Sequence, residues 1–282
     1  MKLRKLTALL LIAALAICFA SCGNKGTKIT IAVPNDPTNE ARALTILANL
    51  GYIKLKADAG VTATVLDIEE NPHNIEFKEI EAAQVPNALQ DVDYALINSN
   101  YAIEAGLNPV KDSLAIEGSY SQYVNIIAVK EGRENEDLIK ALVAAVQSQQ
   151  VIDFINKNYE GSVVPAVDNP TDGYDASVDY EALNGKTVSV AASPTPHSEI
   201  LKIAKDILAA KGVTVKIVEY TDYIQPNNVV ESGEIDANFF QHVPYMDDFN
   251  KENGTHLVNA GGVHIEPMGL YGGKQDSLDA LK

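Results

Sequence analysis

Tryptophan is absent from this 282-residue chain, and aromatic residues make up only 6% of it. That argues against a broad stacking platform for bases. Basic residues are scarce: 22 Lys and Arg stand against 38 Asp and Glu, a formal charge of −16. Without a basic patch to grip phosphates, nucleic acid drops out as a partner. The only cysteines are Cys18 and Cys22. Beyond Cys22 the chain has no thiol for a disulfide, so the fold must rest on its apolar core. Catalytic signatures are also missing: no Gly-x-Ser-x-Gly, no P-loop, no Cys-x-x-Cys and no His-Glu-x-x-His. His197, His242, His256 and His264 lack metal-ligand spacing, so the expectation is no metal, no cofactor and no enzyme.

The N-terminus carries a targeting pattern. Met1-Lys-Leu-Arg-Lys5 is basic, and the apolar run Leu6 to Ala20 is too short for a comfortable membrane span. Ala20-Ser21-Cys22-Gly23 then resembles a bacterial lipobox, with Phe19 where leucine is usual. Residues 1–21 read as a lipoprotein signal, Cys22 as the lipid anchor, and residues 22–27 as an anchor segment. The expected location is the extracytoplasmic face of a membrane. The alternative is an ordinary secretory signal cut near Ser21.

Downstream, short apolar strands alternate with helices. Strand patterns cover residues 28–33, 93–97, 123–129, 186–192 and 213–219. Helical patterns cover residues 40–50, 138–150, 151–158 and 197–211. The alternation predicts an α/β protein with parallel sheets. Thr38 or Asn39 is the expected cap of the first helix. Residues 165–185, with Asp168-Asn-Pro-Thr-Asp-Gly173, break the rhythm and read as a linker. Gly261-Gly262 reads as a turn.

The stretch Tyr223 to Tyr245 sets Tyr223, Phe240 and His242 around an acidic turn. It resembles the first-half signature of the methionine-binding lipoproteins of ABC importers, the MetQ/NlpA family. Ser193-Pro-Thr-Pro-His197, Asp222-Tyr-Ile-Gln-Pro-Asn227 and Ser277-Leu-Asp-Ala-Leu281 also resemble that half. Ala32-Val-Pro-Asn-Asp-Pro-Thr-Asn39, Arg42-Ala-Leu44, Ala95-Leu-Ile-Asn98 and Tyr123-Val-Asn-Ile-Ile127 resemble the second half. The halves stand in reversed order, as in a circular permutation. The resemblance implies a two-lobed, type II periplasmic-binding-protein-like fold. Residues 28–118 would form one lobe and residues 119–274 the other, with 165–185 joining the permuted halves. Residues 275–282 would return to the first lobe, a short helix burying Leu278 and Leu281 against residues 29–33.

An amino-acid ligand needs a cation for its carboxylate, acceptors for its ammonium and a pocket for its side chain. Arg42, one turn into a helix, suits the carboxylate. Asn98 and Asn125 lie on or just beyond apolar strands, where a buried amide either caps a loop or faces a polar ligand. In the family, matching asparagines hydrogen-bond the ligand's amino and carboxylate groups; Asn100 is a further candidate. Tyr223, Phe240 and His242 would line the side-chain pocket, where a thioether packs against ring edges, although core packing would explain them equally. The implied function is capture of L- or D-methionine between two lobes and delivery to an ABC permease, without chemistry. A Met-containing dipeptide, or a role as surface adhesin or antigen, are the alternatives.

Overall fold

The computed structural model describes residues 28–118 and 122–282. Residues 1–27, with the lipobox and Cys22, lie outside them. Among the described residues no helix is long and apolar enough to cross a membrane.

The first lobe is built on β1 (Ile29–Pro34), which runs parallel to β4 (Ile75–Ile80) on one side and β5 (Tyr94–Ile97) on the other. A small ribbon of β2 (Lys54–Leu55) and β3 (Ile68–Glu70) stands apart. Ile31, Ala32 and Val33 are all fully buried because both faces of the strand are covered. Ile31 and Val33 pack on Ala43, Leu44 and Leu47 of helix Pro37–Asn49, and Ala32 packs on Val85, Ile97 and Tyr101. That helix is capped by Asp36, whose side chain accepts from Asn39 N, and not by Thr38 or Asn39. The reason is Pro37: it holds Asp36 extended and itself suits the first helical turn, so the cap falls two or three residues earlier.

The second lobe has a six-stranded sheet ordered β10-β9-β11-β7-β12-β8. Its members are β7 (Val124–Lys130), β8 (Val164–Pro165), β9 (Thr187–Ala192), β10 (Thr214–Glu219), β11 (Ala237–His242) and β12 (Leu257–Ile265). Ile127, Val129, Val188, Val190 and Phe239 pack on one side against helices Asp137–Val146, Gln149–Tyr159 and Glu199–Ala209. Ile126, Ala128 and Ala191 face Val230 and Met246 on the other.

Both sheets are mixed, not parallel throughout. β9 runs parallel to β10 and β11, but β7 is antiparallel to both β11 and β12. In the first lobe β13 (Gly269–Gly272) is antiparallel to β5 and to β6 (Ser113–Ile116). The antiparallel strands β6, β7, β12 and β13 flank the two crossings between lobes, one between β6 and β7 and one at residues 266–268. A crossing strand enters from the far side, so no βαβ unit dictates its direction. The two crossings touch, with Glu117 N donating to Met268 O at 2.9 Å.

The return to the first lobe differs from the sequence expectation. It is complete at Gly269 and not at residue 275, because β13 is already a member of the first sheet. Residues 269–274 therefore belong to the first lobe. The tail ends in a short helix, Leu278–Leu281, capped by Ser277. Leu281 is 1% exposed and joins the cluster of Ile31 and Val33, with Leu278 packed beside it.

Residues 165–185 are a docked segment more than a free linker. Thr171 exchanges backbone hydrogen bonds with Gln147 and Gln149. Val178 and Leu183 enter the second-lobe core, and Lys211 lies 4.6 Å from the Tyr174 ring centroid. The Gly261-Gly262 pair lies within β12 between register shifts, not in a turn. A Cβ on Gly261 would meet Val143 Cγ1 at 2.7 Å, so glycine there lets a helix approach the sheet.

Candidate ligand-binding site

Arg42, Asn98, Asn125, Tyr223, Phe240 and His242 all line one cleft between the lobes. The first lobe presents Arg42 from the second turn of helix Pro37–Asn49 and Asn98 from the end of β5. The second lobe presents Asn125 from β7, and Phe240 and His242 from β11. Tyr223 comes from the loop before helix Gln225–Glu231.

The aromatic wall depends on a backbone irregularity. β11 shifts register against β7 between Phe239 and Gln241. Such a bulge re-aims a side chain. Phe239 stays in the core, while Phe240 packs with Tyr223, Tyr245 and Phe249 at the cleft. The lobes meet across this wall. Tyr223 donates to Asn100 Oδ1 at 2.7 Å, Tyr101 donates to Thr221 O at 3.1 Å, and the Tyr101 and Tyr223 rings lie 4.9 Å apart.

The polar groups have a defined sense. Asp36 Oδ1 accepts from Asn39 Nδ2 at 2.9 Å, so Asn39 must present its oxygen to the neighbouring Asn98. Asn98 Nδ2 donates to Asn39 Oδ1 at 2.8 Å. Asn98 Oδ1 is left buried without a hydrogen-bond partner among the described residues. Asn98 occupies an N-cap position but makes no capping bond. Asn100 has the opposite sense: Tyr223 takes its oxygen, and its buried Nδ2 has no partner. Asn125 Oδ1 lies 3.0 Å from His197 Nε2, which leaves its Nδ2 as a donor. His242 Nδ1 accepts from Tyr245 N at 3.2 Å, so its proton sits on Nε2. Burial, reinforced by the Arg42 cation, holds His242 far below the usual histidine range, and it is neutral.

Arg42 is not an isolated cation. Its Nε and Nη2 grip the Glu117 carboxylate, and Nη2 also donates to Glu266 O at 2.7 Å. Its guanidinium lies 4.3 Å from the Tyr123 ring centroid. Arg42 therefore ties together both crossings between the lobes. Nη1 makes no hydrogen bond among the described residues and remains available to a carboxylate.

Glu266, Asn39, Ser99, Gln241 and Tyr245 also line the cleft and were not among the expected site residues, although Asn39, Gln241 and Tyr245 lie within the motifs. Glu266 was the most legible of these: an acidic residue in the apolar run Val263-His-Ile-Glu-Pro-Met268 asks for a buried partner. Its Oε1 meets His264 Nε2 at 2.8 Å and His197 Nε2 at 3.2 Å. These three residues bring ligand-type atoms within 4.8 Å of one another. His197 and His264 stand far apart in sequence, so spacing gave no sign of them. Nδ1 of each imidazole makes no well-formed hydrogen bond among the described residues, whereas metal-bound histidines anchor the second nitrogen. The arrangement fits one imidazole, His264, donating to the carboxylate, with the His197 ring beside it and hydrogen-bonded to Asn125 Oδ1. Burial drives His197 down to about 3, against the pull of Glu266, so it is neutral. Burial pushes the Glu266 carboxyl up, but the two imidazoles and the Arg42 cation outweigh it, and Glu266 is ionised. His256 lies elsewhere, beside Glu231.

The sequence profile of the NlpA lipoprotein family matches residues 25–167 and 188–282. The chain belongs to this family. Two relatives are outer membrane lipoprotein 3 of Mannheimia haemolytica, 45% identical, and the D-methionine-binding lipoprotein MetQ of Escherichia coli strain K12, 44% identical. These alignments cover 48% of this chain, and 51% and 50% of the relatives. A methionine-bound nutrient-binding protein from Burkholderia cenocepacia aligns at 50% identity with a TM-score of 0.47, over 48% of this chain and 58% of that one. The chain thus spans about half the length of the curated family members it matches.

Proposed function

We propose that this protein captures methionine between its lobes and hands it to an ABC permease, without chemistry. The observation that carries this reading is the pairing of two surfaces in one cleft. One is polar and of fixed sense, with Arg42 Nη1, Asn100 Nδ2 and Asn125 Nδ2 as donors and Asn98 Oδ1 as acceptor. The other is the ring wall of Tyr223, Phe240 and Tyr245. Buried polar atoms left unpaired are costly, so Asn98 Oδ1 and Asn100 Nδ2 call for a ligand with both donors and acceptors. An α-amino acid has both at one end, and a thioether suits the ring edges at the other. The name of the Escherichia coli relative, 44% identical, supports the same ligand class.

The lipobox supports attachment through Cys22 on the extracytoplasmic face of the membrane. The permuted order of halves is part of the same proposal. The family profile matches two segments that together span most of the chain, while each end-to-end alignment covers only about half. That pattern is what a linear alignment returns when only one half can be matched in order. Titration calorimetry of the purified protein with L-methionine, D-methionine and leucine tests the function. Saturable heat with methionine and little with leucine is expected; no heat with either methionine enantiomer would remove the proposal.

A further inference from the structure

Glu266 has an arrangement that the proposed function does not yet use. It is 5% exposed and lines the cleft. Among the described residues no Lys or Arg nitrogen lies within ion-pair distance of its carboxylate. Arg42 approaches its backbone oxygen and commits its charge to Glu117. A buried carboxylate without a counter-cation at ion-pair distance is expensive to keep, and one imidazole N–H replaces only part of its hydration. Oε1 takes the hydrogen bond of His264 Nε2 and lies 3.2 Å from His197 Nε2, and Oε2 has no hydrogen bond among the described residues.

A second, independent acceptor points the same way. Asn98 Oδ1 is buried without a hydrogen-bond partner among the described residues, and the relay from Asp36 through Asn39 prevents the amide from flipping to satisfy it. The two acceptors are brought together by β13, which pairs Gly269 with Ile97 in antiparallel register. Ser99 Oγ donates to Pro267 O, so the strands stay side by side past the register. Asn98 and Glu266 thereby come to the cleft from adjacent chain segments.

We infer that Glu266, with Asn98 Oδ1, is the seat of the ligand's ammonium group, and that the site selects free α-amines over acids lacking one. This rests on the proposed capture of an amino acid but goes beyond it by assigning the counter-charge. Glu266 touches the ligand. His264 is a positioning residue that holds the carboxylate by Oε1 and leaves Oε2 for the ammonium, with His197 packed beside it. His197 also fixes Asn125, so one buried cluster sets both the acceptor and a donor of the site.

The test uses two pairs of probes that differ only in the amine: methionine with 4-(methylthio)butanoic acid, and leucine with 4-methylpentanoic acid. Each is titrated calorimetrically into the parent protein, Glu266→Gln and Glu266→Asp. The parent should prefer methionine over its amine-free analogue by about tenfold or more, as fits a charge-assisted contact. Glu266→Gln should shrink that preference to about threefold or less, by weakening methionine while the analogue holds or improves. Glu266→Asp, which keeps the charge, should retain part of the preference and guards against reading misfolding as loss of binding. A full amine preference in Glu266→Gln would overturn the assignment. So would equal loss of both members of a pair in Glu266→Gln and Glu266→Asp. If the parent binds leucine and not methionine, and the leucine preference collapses in Glu266→Gln, the thioether reading fails and Glu266 keeps its role. Binding of none of the four probes by the parent sinks both.

Discussion

Removing Arg42 should damage two separable things. Its side chain is 4% exposed and that of Glu117 15%, and the two meet through two guanidinium nitrogens. Breaking a buried pair by deleting one partner costs about 3–5 kcal/mol, because the remaining charge is uncompensated. Glu117 keeps a bond from Met268 N at 3.2 Å and some access to water, which argues for the lower end, about 3 kcal/mol. For a chain of this size that corresponds to a fall in Tm of roughly 6–12 °C. Arg42→Ala should show this drop in the ligand-free form by differential scanning calorimetry. It should also lose methionine affinity by about tenfold or more. Replacing Glu117 as well separates the effects. In Arg42→Ala/Glu117→Gln the stranded charge is gone, so about half of the lost stability should return while binding stays weak. An unchanged Tm in the single variant would mean that the pair contributes nothing. Recovery of methionine binding in the double variant would mean that Arg42 acts only through Glu117.

Three further outcomes are expected. Cys22→Ser should move the protein from the membrane fraction to the soluble one, read by fractionation; retained anchoring would refute the lipobox. Leu281→Ala should cost about 2–4 kcal/mol in denaturant unfolding, since this 1%-exposed side chain sits beside Ile31 and Val33; a cost near zero would mean that the tail is not seated on the first lobe. Acidification should destabilise the fold through His197 and His242, both held below the ordinary value of 6.5. The unfolded chain takes up protons below that value and the folded chain does not, so their contribution is full above about pH 7 and declines below it. From pH 7.5 to 5.5 the loss is about 1.4 kcal/mol for each imidazole, and the slope of stability against pH should lessen in His242→Gln.

The sequence by itself determined the repeating unit and most of the local chemistry. Strands appear at 29–34, 94–97 and 124–130, close to their apolar runs, because burial on both faces demands continuous apolar residues, and the edge strand at 214–219 shows instead as alternation. Arg42, the asparagines and the aromatics were legible because each sits in a short motif whose backbone is set locally. The cap on the first helix was misplaced by two or three residues because Pro37 shifts the preferred cap back to Asp36.

Only the tertiary structure decided what depends on residues far apart in the chain. The antiparallel strands of both sheets follow from where the chain crosses between lobes, which no local periodicity encodes. Residues 165–185 look like a linker until Lys211 and the second-lobe core supply partners for Tyr174, Val178 and Leu183. The same holds for charge. A sequence shows that Arg42, Glu117, His197, His264 and Glu266 exist, but not that Glu117 claims the guanidinium or that two imidazoles lie beside one carboxylate. The donor or acceptor sense of Asn98, Asn100 and Asn125 is likewise a property of their neighbours. An amide side chain can face either way, and only the groups packed against it make one orientation cheaper than the other.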